Sequence, residues 1–467
     1  MSLSITAEML CEWTRGSLLH GRPDQLFTST VIDSREAGTG DLFVAIIGPN
    51  HDAHRFADEV LGQGAAGVLI QSDRVDDSLR RNDGFIVRVD DTTLALADLA
   101  RGHRETFHGP LIAITGSNGK TTTKELCAGI LGRVGPTLAT LGNLNNQFGV
   151  PLTLLRRSES DRYAVVEMGM NHRGEIATLA AIARPEIGIL TNVGSAHIEF
   201  LGSREAIADE KGDLLASLPP DGTAIVGRDD PMAFAQSKRT SARLLSFGRS
   251  PSADLRASAI CVDGERAFVF MLETPFGRGE IRVSGLSETI VDSALAAAAG
   301  ALAAGADFEA VTSGLADHSG VPGRMQARRL PDDRLVIDDS YNANPQSMRN
   351  ALETVAGLET GGQRIAVLGQ MGELGDDADE AHRQAGQLTG RLGFDELFLL
   401  GPMAARVAEG AREAGLAEAR IHIFDDHESL AQSLCSRGAK GDRILVKGSR
   451  ASRMERIVEA LEKAVKE

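Results

Sequence analysis

The sequence predicts an α/β protein built from three domains. A chain of 467 residues is too long for one compact core. Short apolar runs alternate with helical segments in two separate stretches, which is typical of parallel sheets with helices on both faces. A glycine-rich turn follows one of these runs. We expect a small α/β domain over residues 1–108, a central domain with a mostly parallel sheet over 109–320, and a doubly wound, Rossmann-like domain over 321–467.

Short strands and helices are mixed in the first segment. Three short segments are predicted to be strands: residues 31–35, residues 41–46 and Gly67 to Ile70. The dipeptide Gly109–Pro110 is predicted to be a hinge, because glycine and proline interrupt regular structure.

Regular strand–helix alternation begins at Leu111 and resumes after Gly320. The alanine-dense stretch Ser293–Ala304 is predicted to be a tightly packed helix, and the segment 453–466 an amphipathic one. Ligands of open parallel sheets gather at the carboxyl ends of the strands, where this chain places its polar motifs. The predicted strands after residue 111 are Tyr163–Glu167, Ile187–Thr191, Ala224–Val226, Leu335–Asp338, Ile365–Gly369, Leu397–Gly401, Ile421–Phe424 and Ile444–Gly448.

The most informative segment is residues 112–123, an apolar run followed by Gly-Ser-Asn-Gly-Lys-Thr. Such a turn between a strand and a helix points backbone N–H groups at a polyphosphate, and the lysine and threonine reach the outer phosphates and their magnesium ion. The turn is a short P-loop variant, because the first glycine of the common pattern is here Ile114. The predicted phosphate-binding residues are Thr115, Gly116, Ser117, Asn118, Gly119, Lys120, Thr121 and Thr122.

The composition argues for small-molecule substrates. The formal net charge of −16 argues against broad nucleic-acid binding. The four cysteines fit neither a zinc spacing nor a disulfide framework. No run approaches the length of a membrane span and no signal-like segment opens the chain, so we expect a cytoplasmic protein. We also expect the protein to be a monomer.

Three ionisable residues follow the glycine turn in the second segment. Glu167 ends a predicted strand, His197 lies in the loop after another, and Lys211 lies in a charged helical stretch. Taken singly, the three have structural alternatives: a strand-end acid that bonds the next loop, a structural histidine and a solvated lysine.

In combination these residues resemble the ATP-dependent Mur ligases. Six motifs support the resemblance and occur in the expected order, and together they extend it from about Asp33 almost to the C-terminus. The motifs span residues 115–125, 142–155, 166–176, 338–345, 367–375 and 446–450.

The resemblance implies a ligase that uses ATP to convert a carboxylate into an acyl phosphate, which an amine then attacks to form an amide. The expected substrates are a UDP-N-acetylmuramoyl tripeptide and D-alanyl-D-alanine. Lys120 and Thr121 would hold phosphates, and Thr121, Glu167, His197 and Lys211 would bind two magnesium ions. Lys211 matches a lysine that carbon dioxide converts into a carbamate, which turns a cation into an oxygen ligand.

The third segment is implied to complete the nucleotide site. Arg324 matches an arginine that meets the phosphates when this domain closes on the central one, and its structural alternative is an interdomain salt bridge. Asp339, Asn342 and Asn344 match a nucleotide-facing turn, although asparagines here could equally cap a helix. Lys447 and Arg450 resemble a basic loop that meets an anionic substrate, or else are solvated surface charges.

The sugar–peptide substrate is implied to contact the first two segments. Ser34 and Arg35 resemble the uridine-diphosphate-binding part, and a structural turn could use them as well. Asn143, Asn145 and Asn146 would line the path of the sugar–peptide arm, or serve only as turn residues.

One segment departs from the family pattern. Thr289, Ile290 and Ser293 replace a His, an Asn and an Asn that help to hold adenine, so the base contact is expected to differ. Ala53 replaces a usual glycine.

Three alternatives remain open. A sister ligase that adds the third amino acid would carry Asp-Asn-Pro-Arg, which this chain lacks. A folate polyglutamate ligase would lack the first domain. A nucleotide-binding regulatory protein without catalysis is favoured only by the changed adenine segment.

Overall fold

The computed structural model describes residues 5–74, 83–264 and 266–464. Within these residues the strands form three large sheets and one two-stranded ribbon, and helices flank the sheets. The predicted α/β class is confirmed. Each large sheet takes all its strands from one of the three predicted segments, and the boundaries at 108/109 and 320/321 remain predictions.

The first segment forms a five-stranded sheet in the order β2-β7-β6-β5-β4, with β2 antiparallel and the others parallel. Its elements are β1 (Ile5–Thr6), α1 (Ala7–Thr14), β2 (Ser17–His20), β3 (Leu26–Phe27), β4 (Ser29–Val31), β5 (Asp41–Val44), α2 (Ala57–Gly62), β6 (Gly67–Gln71), β7 (Phe85–Val89) and α3 (Thr92–Glu105).

The strand predicted at 31–35 is wrong beyond Val31. The backbone N–H of Arg35 donates to Asp33 Oδ1 at 3.0 Å, and the backbone N–H of Glu36 donates to the Asp33 carbonyl at 3.1 Å. An aspartate side chain that bonds the backbone two residues on stabilises a turn at the expense of a strand. The segment after β4 is therefore a turn.

The second segment forms a nine-stranded sheet. Its elements are β8 (Leu111–Thr115), α4 (Lys120–Gly132), β9 (Thr137–Ala139), α5 (Gly149–Leu155), β10 (Tyr163–Glu167), α6 (Glu175–Ala183), β11 (Ile187–Leu190), α7 (Ile198–Leu201), α8 (Arg204–Ala216), β12 (Thr223–Gly227), α9 (Pro231–Ala235), β13 (Arg243–Gly248), β14 (Leu255–Val262), β15 (Ala267–Thr274), β16 (Gly277–Ser284), α10 (Thr289–Ala303) and α11 (Phe308–Ala316).

The strand order of this sheet is β16-β15-β14-β13-β12-β11-β8-β10-β9. The strands from β8 to β14 pair in parallel, as the alternation predicts, whereas β15 and β16 are antiparallel. Five of the nine strands, β9 and β13 to β16, were not predicted. The predicted alanine-rich helix is α10, which packs on the sheet so closely that a Cβ at Gly300 would lie 2.8 Å from Ile189. Only small side chains permit this approach.

The third segment forms a six-stranded sheet in the order β17-β18-β22-β19-β20-β21, parallel except for β17. The helix predicted at 453–466 ends at Ala464, and its last two residues lie outside the described residues. The elements are β17 (Gln326–Arg329), β18 (Leu335–Asp339), α12 (Pro345–Gly357), β19 (Arg364–Leu368), α13 (Ala378–Arg391), β20 (Glu396–Leu400), α14 (Ala404–Glu413), β21 (Ile421–Phe424), α15 (His427–Arg437), β22 (Arg443–Lys447) and α16 (Glu455–Ala464).

No helix in these described stretches is long and apolar enough to cross a bilayer.

The first and second segments share one continuous apolar cluster, and a buried arginine spans their junction. Arg104, near the end of α3, donates from Nε to the carbonyl of Ala183 at 2.8 Å and from Nη1 to the carbonyl of Phe107 at 2.8 Å. Its Nη2 contacts Glu186 Oε1 at 2.6 Å, and Glu186 Oε2 accepts from the backbone N–H of Leu111 at 2.8 Å. These bonds hold α3 against the start of β8 and the end of α6.

Replacing Arg104 by Ala should lower the free energy of unfolding by roughly 1–3 kcal/mol, because two buried carbonyls lose their donor. Arg101→Ala is the matched control, since Arg101 is a half-exposed arginine of the same helix that pairs with Asp98 at 2.9 Å. It should change stability by about 0.5 kcal/mol or less. Urea unfolding followed by the fluorescence of Trp13, the single tryptophan, measures both. Equal losses in the two variants would contradict the anchoring role.

Candidate active site

A cavity of about 1090 Å³ lies between the central and third sheets. The glycine turn after β8, the end of β10 and the loop after β11 line it from the central side. The ends of β18 and β22 line it from the other side, so strand ends of both sheets face one cavity. This arrangement is typical of ligand sites in open parallel sheets.

The glycine turn needs glycine for two different reasons. Gly116 has φ +151°, and a Cβ there would lie 1.9 Å from Thr191 Oγ1. Gly119 has φ +79° and is the N-cap of α4. The first glycine therefore permits a close approach to the loop after β11, and the second permits a left-handed backbone where the helix begins.

The loop after β11 holds the glycine turn in place. The backbone N–H of Ser117 donates to the Asn192 carbonyl at 3.0 Å, and that of Asn118 donates to Asn192 Oδ1 at 2.9 Å. Thr191 Oγ1 donates to the Asn118 carbonyl at 2.7 Å. Sequence reasoning assigned no role to Thr191 or Asn192. Their position directly after a strand that neighbours β8 was the available signal.

Lys120 and Thr121 begin α4 beside the turn. Lys120 Nζ donates to the carbonyl of Gly116 at 2.7 Å. Burial lowers the pKa of Lys120, while the nearby Glu167 carboxylate acts in the opposite direction. Lys120 is therefore a desolvated cation with one carboxylate close by, which suits it to bind a phosphate.

Arg324 connects the third domain to the glycine turn. Its Nη2 donates to Thr121 Oγ1 at 3.3 Å, and its guanidinium carbon lies 4.0 Å from the centroid of the Tyr341 ring. Stacking on an aromatic face fixes the plane of a guanidinium group. Arg324 and Lys120, which the sequence analysis assigned to different domains, thus lie at the same turn.

Asn344 serves as a helix cap and also contacts the glycine turn. Its side chain accepts from the backbone N–H of Ser347 at 2.9 Å, which caps α12, and its Nδ2 donates to Asn118 Oδ1 at 2.9 Å. Asn118 Nδ2 also donates to Gln346 Oε1 at 3.2 Å. Asn344 therefore caps α12, and it also contacts the turn that is predicted to bind phosphate.

Lys447 is buried rather than solvated. Its Nζ lies 2.5 Å from Asp339 Oδ2 and donates to the carbonyl of Asn342 at 3.0 Å. Burial lowers the pKa of Lys447, and Asp339 opposes that effect. Arg450 is largely exposed and pairs with Glu455 at 2.8 Å. Lys447 thus orders the turn after β18, whereas Arg450 remains near the surface of the cavity.

Glu167 has one oxygen engaged and one free. Oε1 accepts from Asn145 Nδ2 at 2.8 Å. Oε2 is buried and has no hydrogen-bond partner among the described residues. Buried carboxylate oxygens are almost always paired in proteins, so this unpartnered oxygen at the cavity wall is available to a ligand.

Lys211 lies in the interior of α8 and is 1% exposed. Burial, reinforced by the nearby charge of Lys120, lowers its pKa well below the ordinary value. Both effects favour the neutral amine, which is the form of lysine that acts as a nucleophile.

His197 is held at the domain boundary. It lines the cavity, and its Nδ1 lies 2.5 Å from Oε2 of Glu373 in the third domain. The His197 contact is the main cause that lowers the pKa of Glu373. Glu373 lies in the motif at residues 367–375, and the sequence predicted no role for this residue.

The donors partly fit a divalent cation. No group of three or more His, Cys, Asp or Glu residues that could hold a metal occurs in the described part of the chain. The free oxygen of Glu167 fits magnesium, which prefers oxygen ligands and commonly combines one or two carboxylates with phosphate oxygens. A carbamate on Lys211 would supply further oxygens.

The predicted substrate residues differ in their surroundings. Asn143 and Asn145 line the cavity. Asn146 Oδ1 accepts from the backbone N–H groups of Phe148 and Gly149, so it caps the start of α5 as the turn interpretation holds. Ser34 and Arg35 do not line this cavity, and Arg35 pairs with Asp33 at 2.5 Å, which lowers the pKa of Asp33 to about 2.

The segment that departs from the family pattern lines one end of the cavity. Thr289 Oγ1 donates to Ser287 Oγ at 3.0 Å, and Ile290 is buried. Ser293 lies against the glycine turn, with its Oγ 3.3 Å from the position of a Cβ at Gly119. The Arg249 side chain pairs with Asp292 at 3.3 Å in the same wall.

These features define a class: an α/β nucleotide-binding enzyme whose phosphate site lies between two sheets. The family models of the Mur ligase middle domain and of the Mur ligase, glutamate ligase domain match residues 114–301 and 323–450. The UDP-N-acetylmuramoyl-tripeptide--D-alanyl-D-alanine ligase of Escherichia coli K12 is 36% identical over 98% of this chain and 99% of its own length.

Solved structures agree with this match. MurF from Acinetobacter baumannii superposes with a TM-score of 0.89 at 33% identity and covers 99% of both chains. MurF from Thermotoga maritima in complex with ADP has a TM-score of 0.81 at 31% identity and covers 94% of this chain and 98% of its own. The chain belongs to the Mur ligase family.

Replacing Gly116 by Ala should weaken ADP binding about tenfold or more. The added Cβ overlaps Thr191 Oγ1, and forcing the turn into another conformation costs roughly 1–3 kcal/mol. Gly132→Ala is the matched control, because a Cβ at that helical glycine meets nothing within 4 Å. Calorimetric titration with ADP measures both. Wild-type affinity in Gly116→Ala would contradict the assignment of the turn.

Proposed function

We propose that this chain is an ATP-dependent ligase of peptidoglycan precursor synthesis that joins D-alanyl-D-alanine to a UDP-N-acetylmuramoyl tripeptide. The observation that supports the proposal most directly is the meeting of Lys120, Arg324 and the free oxygen of Glu167 at one cavity, between two domains. The full-length similarity to ligases with that printed activity supports the choice of substrates.

The chemical problem is repulsion between like charges. A substrate carboxylate must attack the γ-phosphate of ATP, with formation of a carbon–oxygen–phosphorus linkage and departure of ADP. Lys120 and Arg324 would neutralise the phosphoryl oxygens during this transfer, and their fixed positions require little reorganisation. The D-alanyl-D-alanine amine then attacks the acyl phosphate, loses a proton and releases inorganic phosphate.

Glu167 and Thr121 are the side chains best suited to hold magnesium in this site. His197 would bind magnesium from the edge of the site that faces the third domain. Magnesium would supply charge neutralisation at the phosphate oxygens. Asn145 orients the Glu167 carboxylate by bonding its other oxygen. We propose two magnesium sites, one at Thr121 and one bounded by Glu167, His197 and a modified Lys211.

Lys211 is proposed to carry the carbamate. Its neutral amine would attack carbon dioxide, form an N–C bond and release one proton, which leaves an anion in place of a base. Burial and the Lys120 charge both favour the neutral amine before the reaction, and the Lys120 charge favours the anion after it. The product supplies two oxygens to a cation.

The remaining substrate contacts are proposed from the family match. Asn143 and Asn145 line the cavity and would contact the sugar–peptide arm. Ser34 and Arg35, in the turn after β4, would meet the uridine diphosphate. Asp339, Asn342 and Asn344 would face the nucleotide, with Lys447 holding the first two in place.

The purified chain should release ADP and phosphate only when the UDP-N-acetylmuramoyl tripeptide, D-alanyl-D-alanine, ATP and magnesium are all present. Reactions that lack one component are the controls, and a coupled ADP assay measures the rate. Equal ADP release without either acceptor would contradict the ligase. Release with a UDP-N-acetylmuramoyl dipeptide and a single amino acid would favour the sister activity.

Replacing Lys211 by Ala should lower turnover by about 100-fold or more, because a charge-stabilising ligand is lost. Small carboxylic acids such as formate should restore part of it by entering the vacated space. The matched control is Lys238→Ala, since Lys238 is exposed. Incubation with ¹³C-bicarbonate should give a carbamate NMR signal in the wild type only. A signal of equal strength in Lys211→Ala would refute the assignment.

A further inference from the structure

The motif at residues 367–375 has no role in the mechanism above, yet one of its side chains reaches the active site. Glu373 Oε2 lies 2.5 Å from His197 Nδ1. That nitrogen is buried and makes no hydrogen bond of regular geometry among the described residues, so its close polar neighbour is the ion-paired Glu373 oxygen. The Glu373 carboxylate is therefore the group available to accept a proton from Nδ1.

Both partners adopt an unusual backbone. Glu373 has φ +60° and His197 has φ +67°, in the left-handed region that non-glycine residues rarely occupy. Such conformations persist only where the surrounding structure enforces them, and they are concentrated at functional sites. Two of them meet here across the boundary between the central and third domains.

The loop that carries Glu373 is fixed from both sides. The backbone N–H of Met371 donates to Nε2 of the buried His382 at 2.8 Å. The backbone N–H of Ser449 donates to the carbonyl of Gln370 at 2.8 Å. The carboxylate of Glu373 is therefore presented by an ordered loop rather than by a freely rotating surface segment.

The contact exists only where the two domains meet. His197 directly precedes α7 of the central domain, whereas Glu373 lies in the loop that follows β19 in the third domain. A Cβ at Gly375 would lie 3.4 Å from Glu199, so α7 and the segment after Glu373 are in direct contact. Separation of the domains would remove the carboxylate from the imidazole.

We propose that Glu373 is a positioning residue that fixes the ring of His197 with Nδ1 protonated. The other nitrogen, Nε2, then keeps its lone pair for a cation or an oxygen atom in the cavity that His197 lines. Histidine ligands commonly donate their second N–H to a carboxylate in this way. Because the partners belong to different domains, the histidine is oriented only when the domains are closed. This inference rests on the proposed function of the cavity.

The first test compares Glu373→Ala and Glu373→Gln in the ADP-release assay. Glu373→Ala should lower kcat by about 10- to 100-fold. Glu373→Gln should recover part of the loss, because its amide oxygen can still accept from Nδ1. Asp376→Ala, which removes an exposed carboxylate three residues further on, is the control and should keep wild-type turnover. Melting temperatures of the variants should match that of the control.

The second test does not depend on activity. Protein labelled with ¹⁵N-histidine, without substrates and at a pH where the ring is neutral, should show His197 in the Nδ1–H tautomer. The His197→Gln variant assigns the signal. Glu373→Ala should shift His197 toward the Nε2–H tautomer, and Asp376→Ala should not.

An unchanged tautomer in Glu373→Ala, or wild-type turnover in that variant, would overturn the proposal. Equal losses of turnover in Glu373→Ala and Glu373→Gln together with a lowered melting temperature would also overturn it, because they indicate a purely structural role. If the wild type itself released no ADP, the proposed function would fail, whereas the tautomer measurement would still decide on the role of Glu373.

Discussion

The close approach of the glycine turn to the loop after β11 determines the geometry of the whole site. Gly116 leaves no room for a side chain beside Thr191, and Asn192 accepts two backbone N–H bonds from the turn. This contact sets the start of α4 and therefore the positions of Lys120 and Thr121. It also fixes Asn118, the residue through which Asn344 and Gln346 of the third domain reach the turn. Any change that moves the turn displaces both halves of the phosphate site.

Burial of cations solves the charge problem of an acidic protein that handles anions. The chain has a net charge of −16, yet Lys120, Lys211 and Lys447 are placed in or beside one cavity with lowered pKa values. Desolvation makes each amine a stronger electrostatic partner for phosphate than a surface lysine would be. Desolvation also disfavours three charged ammonium groups close together, which favours the neutral form of at least one of these lysines. The pKa of Lys211 is lowered well below its ordinary value, which supports the carbamate proposed for that residue.

Sequence patterns predicted the parts of the structure that depend on local chemistry. The strand–turn–helix at residues 111–132, the parallel pairing and the alanine-rich helix follow from periodicity and glycine positions. Strands β9, β13, β14, β15 and β16 were not predicted, and the last three alternate buried with more exposed residues instead of forming continuous apolar runs. The turn at Asp33 was mistaken for a strand because a side-chain bond outweighed β propensity. The Glu373–His197 contact could not be predicted, because it joins residues 176 positions apart and depends on how two domains meet.

The two domain junctions differ in kind, and the difference bears on which domain can move. The first and second segments share an apolar cluster and the Arg104 network, whose separation would expose buried carbonyls and hydrophobic surface. The third domain meets the phosphate turn through polar contacts such as Arg324–Thr121 and Asn344–Asn118, which water can replace at little cost. The core of the third domain consists of two separate apolar clusters. One of them includes Leu286 of the central domain, and the other residues of both clusters belong to the third domain. We therefore expect nucleotide entry and product release to involve movement of the third domain, with the first two remaining one unit.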